Sequence, residues 1–384
     1  MKLTKEPKKN LKIGILTNIP TPYRERMWES YAEIPDVSID IYYCAKTEAD
    51  RKWKLNKAQD VNEFFLEGIT IRKKIHFNPS VCRLAKSYDL WLIGGYSLPT
   101  MQLLILLCKI LRIPYVILFD GISPLRILEK ETPILFLWKK FLVKGCFAWL
   151  GNGTVGNKYG RKLGLPGDKL FNQYLTVDVE HFQKNIERKR EIRYSFRKRH
   201  EIDQDLFLFL YVGRLVESKG VQDLLLAFQK VKEKNRHRLG LLIVGHGNYE
   251  KYLKNEAEKI QDVFFLGFVD YERIYEVYYS ADALVLPSYS DPWGLVVNEA
   301  LACGIPVIVS RAVGAAQDLV EKQLIFPPGN ITILMQCLEE IIVRREQMFV
   351  SKGNDLLISD WTFDNAKKSL RNIILKYLRE IQET

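Results

Sequence analysis

Apolar stretches of strand length alternate with helical patterns through both halves of the chain. In the first half, residues 12–17, 38–43, 90–93, 115–119 and 147–151 read as strands. In the second half, residues 206–212, 240–244, 263–266, 283–286 and 307–309 do so. Between them lie segments of helical spacing, including 97–111, 220–234 and 274–280. Near-continuous apolar strands separated by helices mark parallel sheets buried on both faces. The last segment, 362–382, carries Phe363, Ala366, Leu370, Ile373, Ile374, Tyr377, Leu378 and Ile381 at i, i+3/i+4 spacing, which predicts a packed terminal helix.

The alternation falls into two α/β runs, and 384 residues suit two domains, each with its own core. The predicted organisation is an N-terminal Rossmann-like domain over 1–184, a basic linker over 185–200 and a C-terminal Rossmann-like domain over 201–360. A helix over 361–384 ends the predicted organisation. The linker contains Arg188-Lys189-Arg190 and Arg197-Lys198-Arg199, and its apolar periodicity is poor for a core element.

Composition removes several classes. At 47% hydrophobic and 27% charged residues, the chain is neither disordered nor collagen-like. Its six cysteines form no CxxC pair and no close Cys/His cluster, so reduced core cysteines are expected rather than a zinc site or a disulfide framework. The basic N-terminus lacks a signal-peptide cleavage pattern. The longest apolar run, 103–111, is too short to cross ~30 Å of hydrocarbon, so a cytoplasmic protein is expected. The net charge of +11 divides into +16 for residues 1–200 and −5 for residues 201–384. That asymmetry points the first half toward an anionic partner: nucleic acid, anionic bilayer or phosphorylated substrate. No nucleic-acid-binding module is recognisable, and nucleic acid is not expected as a partner.

The most informative stretch spans 281–310. A strand leads to a Pro-Ser-Tyr-Ser loop, Gly294 opens a helix through about Cys303, and Gly304-Ile305-Pro306 precedes another strand. Ligands of open α/β sheets sit at the carboxyl ends of strands. The helix start near Gly294, Leu295 and Val296 offers N–H groups to an anion such as a diphosphate. Two carboxylates, Asp291 and Glu299, flank that start, and a carboxylate taking hydrogen bonds from a vicinal diol is a common way to hold ribose. A second stretch, residues 209–220, ends a strand at Gly213 and follows it with Arg214 and Lys219, which can reach one diphosphate as a planar fork and a point charge. A third strand ends at Gly245-His246-Gly247. Phe265-Leu266-Gly267-Phe268-Val269 ends a fourth, so that Gly245 and Phe268 could border a base-sized pocket.

Residues 206–328 resemble the C-terminal half of glycosyltransferase family 4, glycosyl transferases of group 1. These are retaining, nucleotide-sugar-dependent enzymes of the GT-B fold, with two Rossmann-like domains facing a cleft, and the resemblance implies that the C-terminal helix over 361–384 crosses back to pack on the first domain. The resemblance implies that Arg214 and Lys219, beside Gly213, bind the donor diphosphate. It implies that Glu299 binds the ribose, that the amides of Gly294, Leu295 and Val296 support phosphates and sugar, and that Asp291 contacts the transferred sugar. The chain departs from the family at Asp291, where the usual E-x7-E reads D-x7-E. It departs again after strand 115–119, where many relatives carry a histidine and this chain has Asp120, taken as its substitute against the sugar or the acceptor hydroxyl. On the acceptor side, Pro22, Tyr23 and Arg24 after the first strand read either as a simple turn or as an acceptor- or phosphate-facing loop, and Tyr96 follows the strand at 90–93. Asp178 is expected to be structural.

The resemblance implies a retaining glycosyltransferase that uses a nucleoside-diphosphate sugar as co-substrate, with no cofactor and no metal required. The expected acceptor is a saccharide or lipid-linked saccharide of bacterial cell-envelope polysaccharide or glycolipid synthesis. Two rival readings are a GT-B epimerase or hydrolase and a non-catalytic nucleotide-sugar-binding protein. Asp203-Gln204-Asp205 spells DxD but precedes a strand, and is read as solvated. Arg51-Lys52-Trp53-Lys54 and Leu137-Trp138-Lys139-Lys140-Phe141 mix cations with aromatics. They read as surface segments with snorkelling cations or as a patch resting on the anionic inner face of the cytoplasmic membrane.

Overall fold

The computed structural model describes residues 10–47, 58, 61–71, 75–234, 238–347 and 358–383. The chain divides into two compact units. The first comprises 1–121, 130–175 and 363–384, and the second 122–129 and 176–362.

The first unit is built on seven parallel strands. They are β1 (Leu11–Thr17), β2 (Val37–Tyr43), β3 (Asn62–Phe65), β6 (Leu90–Ile93), β7 (Tyr115–Phe119), β8 (Ala148–Gly151) and β9 (Leu170–Asn172), in the order β3-β2-β1-β6-β7-β8-β9. A separate antiparallel pair, β4 (Ile69–Ile71) and β5 (Ile75–Phe77), lies outside this sheet. The interior strands are buried residue after residue, as in β6 and β8, because helices cover both faces.

The helix Phe363–Gln382 completes the core of this unit. Ala366, Leu370, Ile373 and Ile374 join Ile13, Ile15, Trp28, Tyr31 and Ile41 in one buried cluster. Its polar edges are fastened too: Ser30 Oγ donates to Phe363 O at 3.1 Å, Tyr377 OH to Asp89 O at 3.1 Å, and Lys376 pairs with Asp168 at 3.1 Å. The helix Phe363–Gln382 thus supplies one wall of the unit that β1 begins.

The second unit holds β10 (Phe207–Val212), β11 (Leu239–Val244), β12 (Val263–Gly267), β13 (Ala283–Leu286), β14 (Val307–Ser310) and β15 (Ile325–Phe326) in the parallel order β12-β11-β10-β13-β14-β15. The order reverses between β10 and β13, which are paired directly. Loops leaving neighbouring strands at such a reversal diverge to opposite faces and open a crevice at the carboxyl edge.

Two expectations about organisation are corrected. The boundary falls after Leu175 rather than at 184, and Thr176 Oγ1 already donates to Trp361 O within the second unit at 2.6 Å. The basic run 185–200 is not a linker, since Lys189–Arg199 is a helix of the second unit packed on the helix Ile274–Ser280. Its inward face is written in cations spaced four apart, which hydrophobic periodicity cannot register. Lys189 donates to Cys303 O at 2.8 Å. Arg193 donates to both oxygens of Asp282 at 3.0 and 2.9 Å. Arg197, fully buried, donates to Ser280 O, Asp203 O, Gln204 O, Leu206 O and Asp282. Asp282 also accepts from Leu208 N at 2.8 Å, tying the helix to the start of β10.

A third correction concerns the cysteines: all six are free, but only five are buried, Cys82 being exposed. Asp178 caps the helix Val179–Gln183 through His181 N at 3.1 Å, in line with a structural role.

Truncating one member of a buried, hydrogen-bonded charge pair leaves the other uncompensated. Arg197→Ala is therefore expected to destabilise the second unit by about 3–5 kcal/mol. Arg190→Ala, on the exposed side of the same helix, should stay within about 0.5 kcal/mol of wild type. Urea denaturation of the two variants measures both.

Candidate active site

At the centre of the second sheet, β10 and β13 send their loops out side by side. The close approach is enforced at Gly220 (φ 67°), where a Cβ would lie 2.3 Å from Pro287 O. Tyr289 N donates to Ser218 O at 2.9 Å, bonding one loop to the other. Across this seam Lys219 and Asp291 form an ion pair between side chains that are mostly buried. The second carboxylate oxygen of Asp291 accepts from Trp293 N at 3.2 Å. Its backbone is fixed in turn, through Asp291 N to Ala312 O at 3.2 Å and Gly314 N to Asp291 O at 3.1 Å. The structure therefore brings together two residues 72 positions apart that the sequence singled out separately.

The loops after β10 and β11 are also in contact. Gly213 N donates to Val244 O and Leu215 N to His246 O, and a Cβ on Gly245 would fall 1.9 Å from Gly213 O. Arg214 stands exposed on this edge, five residues before Lys219. His246 Nε2 accepts from Phe268 N at 3.1 Å, so its Nδ1 donates to Glu250 at 3.0 Å. The Phe268 ring is 47% exposed, in position to offer a flat apolar face at the carboxyl end of β12.

The helix Leu295–Ala302 begins at Gly294, whose φ of 87° favours glycine. A Cβ there would press within 2.7 Å of Val313 Cγ1. The first N–H groups of a helix have no carbonyl partner one turn back, and those of Gly294, Leu295 and Val296 occupy that place here. Glu299, one turn further on, accepts from Tyr278 OH. Burial raises its carboxyl pKa to about 7, and the Tyr278 hydrogen bond opposes the rise.

Tyr278 is not identifiable as a partner from spacing or motif, because its pairing depends on how the helix Ile274–Ser280 packs. Nor is Trp293, whose Nε1 donates to Asn298 Oδ1 at 2.9 Å. Ser288 Oγ and Asn298 Nδ2 are buried without a protein partner among the described residues, an uncommon condition for polar atoms beside a crevice. Ser123, of the short segment 122–129 that joins this unit, donates through Oγ to Ala312 O at 2.7 Å.

In the first unit, Asp120 directly follows β7 at the carboxyl edge of the sheet. Its carboxylate takes the guanidinium of Arg24 and accepts from Gln173 Nε2 at 3.2 Å, while more than half of its side chain remains open. Pro22, Tyr23 and Arg24 are not a loop: they form the first turn of the helix Pro22–Ala32, where proline suits the start. Arg24 is buried, lies over the Trp28 ring at 5.1 Å and is committed to Asp120. Tyr96 is buried too and stacks on Phe119, the residue before Asp120. Of these candidates, Arg24 pairs with Asp120 itself, whereas Tyr96 packs on the residue before it. Of the other segments singled out, Asp203 and Asp205 pair with Arg238. Residues 51–54 lie outside the described residues. No cluster of carboxylate, imidazole and thiol groups suited to a metal ion occurs among the described residues.

The raised pKa of Glu299 has a consequence for stability. The folded state holds this proton more tightly than the unfolded chain, so the stabilisation is complete below about pH 4.5 and is lost as pH rises through about 7. Between pH 5 and 7 the loss is about 2 kcal/mol. Glu299→Gln is expected to flatten that part of the stability profile, as read from denaturation midpoints over pH 5–8.

Residues 193–348 match the family model for glycosyl transferases group 1. An uncharacterized glycosyltransferase of Methanocaldococcus jannaschii is 31% identical over 217 residues, 53% of this chain and 50% of that protein. A putative teichuronic acid biosynthesis glycosyltransferase of Bacillus subtilis is 27% identical over 277 residues, 70% of this chain and 64% of that protein. The chain thus spans between about half and two thirds of the length of these two relatives. Among solved structures, a sucrose-phosphate synthase from Thermosynechococcus elongatus superposes with a TM-score of 0.72 at 16% identity, covering 96% of this chain and all of that one. HepE of Anabaena, in complex with UDP and glucose, gives 0.71 at 16% identity, covering 95% and 99%. Two Rossmann-like units with these neighbours constitute the GT-B fold, and within the second unit residues 193–348 are similar to the glycosyl transferases of group 1.

Proposed function

We propose that the protein transfers a sugar, with retention of configuration, from a nucleoside-diphosphate sugar to an acceptor hydroxyl. The observation that carries this reading is the meeting of Lys219 and Asp291 at the strand-order reversal, beside the helix start at Gly294. A diphosphate there would draw Lys219 away from Asp291, gain Arg214 as a second cation, and receive the N–H groups of Gly294, Leu295 and Val296. Asp291, released from its partner, would accept hydrogen bonds from hydroxyls of the sugar. Glu299 would hold the ribose, and Phe268 with the Gly245 backbone would border the base. The relative seen with UDP and glucose supports this class of donor.

In the reaction, the bond from the anomeric carbon to the diphosphate oxygen breaks and a bond to the acceptor oxygen forms on the same face. The acceptor's proton passes to the departing diphosphate oxygen. Lys219, Arg214 and the helix start stabilise the negative charge that grows on the leaving group, an effect worth about 10²–10³ in rate for one well-placed donor. This charge set needs neither a cofactor nor a divalent metal. On the first unit, Asp120, held by Arg24 and Gln173, is the candidate contact for a sugar or acceptor hydroxyl. The proposed acceptor is a saccharide or lipid-linked saccharide of cell-envelope polysaccharide or glycolipid synthesis. The Bacillus relative named for teichuronic acid biosynthesis supports it. The proposed setting is the cytoplasm, peripheral to the inner face of the membrane; no helix among the described residues is long and apolar enough to cross it.

A thermal-shift screen against UDP-, GDP-, ADP- and dTDP-sugars identifies the donor, and labelled donor with lipid extract reports transfer. Free sugar or an epimer without acceptor product would assign a hydrolase or epimerase instead, and retained donor without turnover would assign a binding protein. Lys219→Ala is expected to lower kcat/KM by about 10²-fold or more, and Arg214→Ala by a smaller factor because Arg214 is exposed. Wild-type turnover in both variants would refute the diphosphate assignment. Nucleoside-diphosphate affinity should weaken up to about tenfold from pH 8 to 6 as Glu299 takes up its proton, and less in Glu299→Gln. Calorimetry at the two pH values measures the difference.

A further inference from the structure

The helix Pro133–Val143 of the first unit reads Pro-Ile-Leu-Phe-Leu-Trp-Lys-Lys-Phe-Leu-Val, apolar on almost every side. A helix of that pattern is ordinarily enclosed by protein or lipid. Here only Leu142 and Val143, in its last turn, are buried. The helix is nonetheless firmly seated. Tyr115 OH donates to Leu142 O at 2.8 Å, and Trp138 Nε1 donates to Gln102 Oε1 at 3.3 Å. Apart from the half-buried Phe136, its other apolar residues are exposed, Ile134 by 80%, Leu137 by 62% and Phe141 by 49% among them. Ile110, near the end of the helix Pro99–Leu111, is 76% exposed. The neighbouring Lys109 amine lies 4.9 Å from the Phe141 ring centre, which joins the two helix ends into one surface.

The charges around this surface are of one sign. Residues 132–144 contain no acid. Lys139 is paired with Glu131, but Lys140 on the helix and Lys144 just after it are exposed, and Arg112 is exposed beside Ile110. We propose that this surface docks on an anionic lipid bilayer, with Ile134, Leu137, Phe141 and Ile110 entering the headgroup boundary and Lys140, Lys144 and Arg112 meeting lipid phosphates. A tryptophan with an apolar body and a polar edge is suited to that boundary. A second copy of the chain is a poorer occupant, because a two-fold contact would set the same lysines against each other. The proposal rests on exposure and charge in the first unit and is independent of the transfer reaction.

The test is co-sedimentation of the full chain with vesicles of phosphatidylcholine alone and of phosphatidylcholine with phosphatidylglycerol. Wild type is expected to sediment with the anionic vesicles, more weakly as salt rises, and little with the neutral ones. Two variants separate the contributions: Ile134→Gln/Leu137→Gln removes apolar contact, and Lys140→Glu/Lys144→Glu reverses charge. Each should lower partitioning at least about tenfold. The altered side chains are exposed, so thermal midpoint and nucleotide binding should be kept, and if the apolar variant loses its fold the charge variant decides. The proposal is overturned if wild type stays in the supernatant, if it binds both vesicle types alike, or if the folded variants sediment as wild type does. A dimer that the apolar variant breaks, without vesicle binding by wild type, would give the surface to a second copy. Failure of donor binding in wild type would count against the proposed transfer reaction alone.

Discussion

The second unit is organised around the pairing of β10 with β13. Between Val212 and Ala283 the chain builds two further strands and their helices on one side, then returns to lie directly against β10. Parallel pairing fixes the direction, so both strands release their loops at the same edge, and the tight approach of Gly220 to Pro287 O holds the two loops together at that point before they diverge. The Lys219–Asp291 pair is the chemical product of that constraint. Asp291 is anchored further by the backbone of Trp293, Ala312 and Gly314, so it presents a carboxylate from a rigid frame rather than from a mobile loop.

The same unit shows why net charge and local charge answer different questions. Residues 201–384 carry −5, yet the crevice gathers Lys219, Arg214 and a helix start. In the strongly basic run before it, Lys189, Arg193 and Arg197 are committed to carbonyls and to Asp282. Buried guanidinium groups need that many acceptors to offset lost hydration, and Arg197 finds five. Glu299 is the opposite case: a carboxylate with a single tyrosine donor, whose burial is not fully compensated and whose pKa therefore rises.

Two helices of the first unit contrast instructively. Phe363–Gln382 has an apolar stripe one side wide and buries its first three turns, Ala366 to Ile374, against the helix Pro22–Ala32 and the sheet, while Leu378 and Ile381 near its end are exposed. Pro133–Val143 is richer in apolar residues but buries only its last turn, leaving a rigid, cation-edged face open. Hydrophobicity alone would have placed the second helix deeper in the core than the first.

How much of this was legible in the sequence follows from the range over which each signal acts. Strand content is local, and the near-continuous apolar runs at Leu90–Ile93, Tyr115–Phe119 and Ala283–Leu286 identified those strands to the residue. The short strands β3, β9 and β15 and the β4–β5 pair escaped, because two to four residues of mixed polarity have no period to read. Motif spacing, with the family resemblance, also marked Lys219, Asp291, Gly294 and Glu299 as one site. What only the tertiary structure decided is which groups meet: Lys219 with Asp291, Arg24 with Asp120, Tyr278 with Glu299, and the cations at 189, 193 and 197 with the interior of the second unit. These pairings join residues far apart in the chain. Each depends on strand order and helix packing, which hydrophobic period does not encode, and on desolvation, which exists only once the polar groups have been enclosed.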